Sequence, residues 1–194
     1  MKKLFVTTFV LGTLAAASSF AADTSNLSGF SVGANAEFAK GSSSATDGTS
    51  DNGNTSALGL QGRYDFPVAP NFAIGLGASY SSSNHKAGTY ASGAEATIGN
   101  RYSLDVIPTV ALANNYQLFG KLSSIYGRAA SDDGSSTSDV QGVGYGIGLR
   151  QMLDKNMYWQ VAYDLNKFSD VTFNTGTTSS LQENVFSIGV GYKF

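Results

Sequence analysis

The sequence predicts an all-β fold, an eight-stranded antiparallel up-and-down transmembrane β-barrel. Three observations carry that prediction. Residues 185–194 read VFSIGVGYKF, in which Phe186, Ile188, Val190, Tyr192 and Phe194 are apolar or aromatic and Ser187, Gly189, Gly191 and Lys193 sit between them. Alternation of period two gives a strand one greasy face and one small or polar face. Seven earlier segments have the same character, which makes an even count. The connections between the eight alternate long and short. Lipid is the simplest solvent for a greasy face repeated on every strand, and a closed barrel is the sheet that leaves no unpaired edge in it.

The N-terminus fits an exported chain. Lys2 and Lys3 precede an uncharged apolar run from Leu4 to Ala17, and Ser19-Phe20-Ala21 offers small residues at the two positions a signal peptidase reads. Residues 1–21 are therefore expected to be a secretory signal peptide, too short for a spanning helix, and residues 22–194 the outer-membrane β-barrel. Cleavage removes two of the 12 lysines and arginines, leaving 10 against 14 aspartates and glutamates, so the formal charge moves from −2 to −4. Nothing in that balance suggests a nucleic-acid partner. Cysteine is absent. An exported chain of this size without disulfides needs a large hydrogen-bonded framework or a membrane to hold it.

The strands follow in order. The first is expected at residues 29–39, with Phe30, Val32, Ala34, Ala36 and Phe38 on one face; the Ser/Thr/Gly/Asp/Asn tract at 41–54 after it reads as a mobile loop. The second, at 57–66, sets Leu58, Leu60, Tyr64 and Phe66 against Gly59, Gln61, Arg63 and Asp65, and a tight turn at 67–71 holds Pro67 and Pro70. The third spans 72–81, with Phe72, Ile74, Leu76, Ala78 and Tyr80 greasy; a long loop covers 82–100. The fourth, 102–112, alternates Tyr102, Leu104, Val106, Val110 and Leu112 with Ser103, Asp105, Thr109 and Ala111. Pro108 lacks an N–H and is expected at a bulge or at the loss of one ladder bond. The fifth, 116–127, points Tyr116, Leu118, Leu122 and Tyr126 outward and Phe119, Lys121 and Ile125 inward. After a third long loop at 129–139 comes the sixth, 141–153, whose Gly142, Gly144, Gly146 and Gly148 read as small inward residues opposite Phe119 or Tyr158. The seventh, 157–166, is followed by the fourth long loop, 167–182, and the closing strand.

Each segment is near the 9–11 residues that a tilted strand needs to cross a bilayer. With the short turns at one end, Phe30, Tyr64, Phe66, Phe72, Tyr116, Trp159, Tyr192 and Phe194 gather outward near that end, and Phe38, Tyr80, Tyr102, Tyr126, Tyr145, Tyr163 and Phe186 near the other. Two aromatic rings one apolar band apart match the two interfacial girdles of a membrane barrel. A soluble exported barrel, the competing fold, would bury its apolar face inward and has no reason to alternate its loops.

The polar phase then points inside. It carries Glu37, Arg63, Asp65, Asp105, Lys121, Arg150, Asp164 and Lys193. An interior just wide enough for side chains must pair such charges. The expected role is a plugging salt-bridge network, with Lys121 midway and able to bridge to an acid; a gated or selective narrow pore is the alternative. Catalysis has little to stand on. His85 is the sole histidine and lies in the 82–100 loop without a positioned acid, so a solvated loop residue is expected. Asp132-Asp133-Gly134 and the stretch from Asp47 to Asn54 resemble calcium loops in composition but lack the ligand spacing and terminal Glu. No metal, cofactor or enzymatic activity is expected.

The chain resembles the small eight-stranded outer-membrane proteins of the OmpX, OmpA-barrel and opacity-protein type. The residues that carry the resemblance are the signal peptide, GVGYKF ending on Phe194, GYGIGL at 144–149 and LDVIPTV at 104–110. The resemblance implies a Gram-negative outer-membrane location, lipid as the partner of the outer wall, and no peptidoglycan-binding domain like the one that follows the barrel in full-length OmpA-type proteins. It also implies that Tyr192 and Phe194 form the assembly signal read by the barrel-assembly machinery. The expected function is structural or surface-interacting, through an extracellular ligand at the long loops. A porin-like passive channel is the alternative, and a barrel-type hydrolase a distant third.

Overall fold

The structure is a computed structural model that describes residues 27–45, 50–82, 85–89, 95–112, 115–131, 137–172 and 178–194. The expected signal peptide and Asp132-Asp133-Gly134 lie outside the described residues. Ten strands are present among the described residues: β1 (Gly29–Ala45), β2 (Ser50–Ala69), β3 (Phe72–Ser81), β4 (His85–Thr89), β5 (Glu95–Ala111), β6 (Tyr116–Ser131), β7 (Thr137–Met152), β8 (Met157–Phe168), β9 (Val171–Thr172) and β10 (Thr178–Lys193). Eight of them pair antiparallel in the order β1-β2-β3-β5-β6-β7-β8-β10. The circle closes where β10 pairs β1 at fifteen successive positions, from Ser31↔Lys193 to Ala45↔Ser179. Short β4 lies beside β5, and β9 beside β10. A closed, all-antiparallel, eight-stranded barrel is the observed fold, and closure removes both sheet edges.

The period-two pattern is what makes the wall. From Leu181 to Val190 every second residue is buried and every other one exposed. Leu58, Leu60, Leu104, Ile147 and Val190 stand on the outside, while Arg150, Tyr158, Thr109, Asp65 and Ser31 are almost wholly enclosed. The wall is thus greasy outside and polar inside, the inverse of a soluble barrel. Aromatic rings mark its two margins. At the outer margin Phe38 stacks with Phe186 at 6.4 Å and Tyr102 with Tyr126 at 5.9 Å between centroids. At the turn margin Phe30 stacks with Phe194 at 5.9 Å, and Tyr192 meets Phe194 edge-on at 5.0 Å. Phe72 departs from the expected girdle. It keeps the outward phase of β3 but is only 9 % exposed, and it stands opposite Ala69 at the register shift between Pro67 and Ala69 of β2.

Several expected loops are strand. The tract at 41–54 carries β1 on to Ala45 and starts β2 at Ser50. There β1 keeps its backbone pairing to β2 on one side and to β10 on the other. In the same way 82–100 contains β4 and the start of β5, 129–139 the ends of β6 and β7, and 167–182 contains β9 and the start of β10. The 67–71 turn is shorter than expected, since β2 continues to Ala69 and Pro67 still pairs with Ala73. Pro108 produces no bulge. The β5–β6 register is the same at Val106↔Leu122 and at Thr109↔Phe119, and only the pairs between them are missing. The bulge falls at 99–102 instead, where Asn100 takes φ +47° and one extra residue enters β5.

Inside, glycines make room for rings. A Cβ at Gly148 would run into the Phe119 ring, and a Cβ at Gly191 into Tyr158, whose hydroxyl also crowds Gly33. Phe119 joins Ile107 and Ala162 in a small apolar cluster. A second cluster closes the base. Leu27, just before β1, is 1 % exposed and packs with Ala73 and Ala111, which are inward residues of β3 and β5 at the turn end. The chain reaches that position through Gly29, whose φ of +120° is open to glycine alone among common residues.

Candidate functional site

The barrel interior is a column of charge, built in layers because successive inward residues climb each strand two at a time. At the base, Arg63 grips Asp65 with two nitrogens, Nε to Oδ2 at 2.9 Å and Nη2 to Oδ1 at 2.8 Å. Arg63 Nη2 also donates to Thr109 Oγ1 at 3.1 Å. Across from it, Arg150 Nε and Nη2 both donate to Gln160 Oε1 at 3.2 and 2.9 Å, and its guanidinium lies 3.9 Å over the Tyr158 ring. Gln160 passes the chain on, donating from Nε2 to Asn35 Oδ1 at 3.3 Å. Tyr158 spans the base, with its hydroxyl donating to Val32 O at 3.2 Å. Lys193 is buried in the same layer.

Midway, Lys121 Nζ lies 2.9 Å from Asp164 Oδ2. Asp105 accepts from Ser103 Oγ at 2.8 Å. Above them Arg101 is shared by two acids, meeting Glu37 Oε2 at 2.7 Å and Glu183 Oε2 through its other nitrogen. Asn166 Nδ2 adds a bond to Glu183 at 3.2 Å. The structure therefore brings together Arg63 with Asp65 and Lys121 with Asp164. It gives Glu37 a partner, Arg101, that the sequence reading omitted, and leaves Arg150 beside amide and ring rather than beside a carboxylate. Asp105 meets a hydroxyl.

Two residues of the column were missed, Arg101 and Glu183. Both sit one or two positions outside the expected strands, between them and the loops expected at 82–100 and 167–182. Extending the alternation backwards from Ser103 to residue 101, and from Val185 to residue 183, would have found them. Among the described residues five cations (Arg63, Arg101, Lys121, Arg150, Lys193) face five acids (Glu37, Asp65, Asp105, Asp164, Glu183). Within the column are two small cavities, of about 40 and 30 Å³, that share Glu37, Ser79, Lys121 and Asp164 as lining. Each has room for a water or a few. At the next inward positions outward from Asn166 and Glu183 come Phe168 and Leu181, both buried, so apolar residues cap the column above as Leu27 caps it below. Among the described residues no group of three or more His, Cys, Asp or Glu could hold a metal. His85 opens β4, pairing with Ile98, rather than lying in a loop, and residues 50–54 of the other calcium-like stretch belong to β2.

The comparison with known families now bears on these features. The model of the outer membrane protein beta-barrel domain matches residues 7–194. The chain belongs to that family. Its place is the Gram-negative outer membrane, and the greasy outer wall is its lipid-facing surface. Neisserial surface protein A is similar at 21 % identity and a TM-score of 0.59, over 86 % of this chain and 98 % of that one. The attachment invasion locus protein Ail of Yersinia pestis, in complex with the heparin analogue sucrose octasulfate, is 17 % identical with a TM-score of 0.55 over 86 % and 99 %. OprG of Pseudomonas aeruginosa is 17 % identical with a TM-score of 0.51 over 87 % and 97 %. At such identities these likenesses speak to the barrel fold. No curated protein sequence matches.

Proposed function

We propose that this outer-membrane barrel is a closed scaffold whose extended hairpins present a surface for an extracellular partner, with no catalytic step. The observation that carries the reading is the continuation of β1, β2 and β10 beyond the outer aromatic ring. Past Phe38 and Phe186, backbone pairing runs on to Ala45 and Ser179. A rim of paired strands held on a rigid wall suits recognition, because little conformational entropy is lost on binding. The interior supports the same reading. Its ends are apolar, its charges are largely paired, and its sign changes along the axis: three cations to one acid at the base, two cations to four acids above. Either sign of ion meets a repelling half.

The partner differs in charge from the heparin-like ligand that Ail carries. The four long connections of this chain hold Lys86 and Lys167 against Asp47, Asp51, Glu95, Asp132, Asp133, Asp139 and Asp170. A basic or neutral protein surface fits that balance better than a sulfated sugar. The test compares intact barrel with one whose hairpins are shortened to the outer aromatic ring, both folded in vesicles, for capture on immobilised matrix glycoproteins and on heparin. Capture on glycoprotein that disappears with the hairpins is expected; equal capture by both barrels would refute the reading.

One observation favours a narrow channel: the Lys121–Asp164 pair stands as a partition shared by both cavities. Single-channel recording separates the two. The closed scaffold gives no steady conductance; a steady conductance that disappears in Lys121→Ala would establish the channel instead.

A further inference from the structure

At the outer aromatic ring the outward phase of three neighbouring strands changes chemistry. On β1 it passes from Phe38 to Lys40, on β10 from Phe186 to Asn184 and Gln182, and on β8 from Tyr163 through Leu165 to Lys167, and all of these side chains are exposed. The register brings them onto one face. Phe38 pairs with Phe186 and Phe186 with Tyr163, while Lys40 pairs with Asn184 and Gln182 with Lys167. Lys167 stands one outward step beyond Leu165, the partner of Asn184. The ring itself climbs by such a step here, since Tyr145 of β7 stands opposite Leu165 and not opposite Tyr163. Tilted strands make a level line on the barrel drift against the register in this way. Lys40 and Lys167 are thus level, two strands apart, with the amides of β10 between them. Two strand spacings put them on the order of 10 Å apart.

Neither lysine has an ion-pair or hydrogen-bond partner among the described residues. Glu37 and Glu183, on the same strands, turn inward to Arg101. Asp170, beyond the end of β8, is exposed and forms no ion pair with Lys167. The opposite side of the ring differs. There Arg128, two residues beyond Tyr126, has Asp139 at 3.7 Å. Beside Lys40 the wall opens into a cleft of about 300 Å³ between β1 and β2, lined by Phe38, Lys40, Asn54 and Ser56. Height and charge select what fills this face. Aromatic rings mark the depth at which acyl chains give way to headgroups, and the lysines stand just beyond them. Unmet ammonium groups at that depth suit phosphate, which a leaflet carries on its lipids. Amides and hydroxyls beside them suit sugar hydroxyls, and the rings below suit an acyl chain.

We propose that the β2–β1–β10–β8 face binds a phosphorylated glycolipid of the outer leaflet, with phosphate on Lys40 and Lys167, sugar hydroxyls on Asn54, Gln182 and Asn184, and an acyl chain over Phe38 and Phe186. The site belongs to the wall and not to the hairpin tips, so it operates whether or not an extracellular partner is bound.

The test uses the full barrel, folded in an uncharged detergent and immobilised. It is titrated with lipid A and with dephosphorylated lipid A, and the retained lipid is measured by fatty-acid analysis. Lipid A should be retained saturably. Retention should weaken about tenfold in the variant carrying Lys40→Gln and Lys167→Gln, and dephosphorylated lipid A should bind the unaltered barrel as weakly. Lys40→Arg with Lys167→Arg should keep the affinity. Arg128→Gln should also keep it, because Asp139 already meets that charge. Equal affinity in the unaltered barrel and the double Gln variant would overturn the site. An equal loss in Arg128→Gln would overturn it too, by assigning retention to the positive charge of the whole margin. Displacement of lipid A by millimolar inorganic phosphate would overturn the lipid as the occupant. Both lysines are exposed, so the double Gln variant should keep the heat-dependent gel migration of a folded barrel. If it does not, the two lipids on the unaltered barrel decide, and equal retention of both overturns the proposal.

Discussion

Arg101 is held by two acids, and that sharing makes its removal unusually informative. In Arg101→Met the carboxylates of Glu37 and Glu183 lose their common cation while the side chains stay 12 % and 4 % exposed. Glu183 retains Asn166, a neutral donor. Breaking a buried pair from one side typically costs about 3–5 kcal/mol, because the stranded charge keeps its desolvation penalty. With two acids losing the same cation the upper end of that range is expected, near 5 kcal/mol. Neutralising the acids as well, in Arg101→Met with Glu37→Gln and Glu183→Gln, should recover most of the loss and leave a deficit of about 1 kcal/mol. The assay is urea unfolding of the barrel folded into lipid vesicles, followed by fluorescence. The chain has one tryptophan, Trp159, on the lipid side of the turn end with its Nε1 donating to Gln151 at 2.7 Å, so the signal reports the whole barrel rather than the substituted layer. A triple variant no more stable than Arg101→Met would refute the reasoning, since the loss would then come from packing and not from stranded charge.

Three further predictions can be checked with the same preparation. Gly191→Ala should cost about 1–3 kcal/mol because the new Cβ meets the Tyr158 ring. Gly120→Ala, on the outer face with Pro108 Cγ at an ordinary 3.5 Å, should stay within about 0.5 kcal/mol; equal costs would show that interior crowding is not the cause. Deleting Phe194 should lower outer-membrane yield more than Phe38→Ala does, as measured by immunoblot of fractionated membranes, since Phe194 also bonds Phe30 O through its N–H at 2.8 Å and closes the turn-end aromatic cluster; matched yields would count against an assembly role for the last residue. Asp154, in the β7–β8 turn, accepts N–H bonds from Asn156 at 2.8 Å and Met157 at 2.6 Å, and these two bonds, Met157 first, hold its carboxyl below the usual range. A lowered folded value stabilises above the unfolded value, about 3.9, and fades as pH falls through the folded one. The midpoint gap between wild type and Asp154→Ala should therefore be constant at neutral pH and narrow below about pH 4; a gap independent of pH would mean that the turn does not use the charge.

The parts of this fold legible from sequence are those that lipid enforces. Leu58, Leu60 and Tyr64, or Phe186, Ile188 and Val190, recur every second residue because each must face the bilayer, and the inward phase of Arg63, Asp65, Lys121 and Asp164 follows from theirs. Above the outer aromatic ring that constraint ends. There Ser42, Asn54 and Gln182 have the composition of a loop, yet they continue the ladder, because backbone pairing asks nothing of side-chain polarity. Arg101 and Glu183 were hidden by that boundary, and Arg101 further by the extra residue at Asn100. Pairings were less legible than phases. Which acid meets Lys121, or that Arg150 meets none, depends on how neighbouring strands slide past one another, and Leu27 depends on a contact with strands more than forty residues away.

Leu27 also sets an order of events. It packs against inward residues of the neighbouring strands β3 and β5, so it can take its seat only once those strands stand in place beside it. Its burial is thus a time stamp on maturation. A protease or thiol probe placed at residue 27 would be admitted to every precursor on the way to the membrane and refused by the finished barrel, turning one leucine into a clock for assembly.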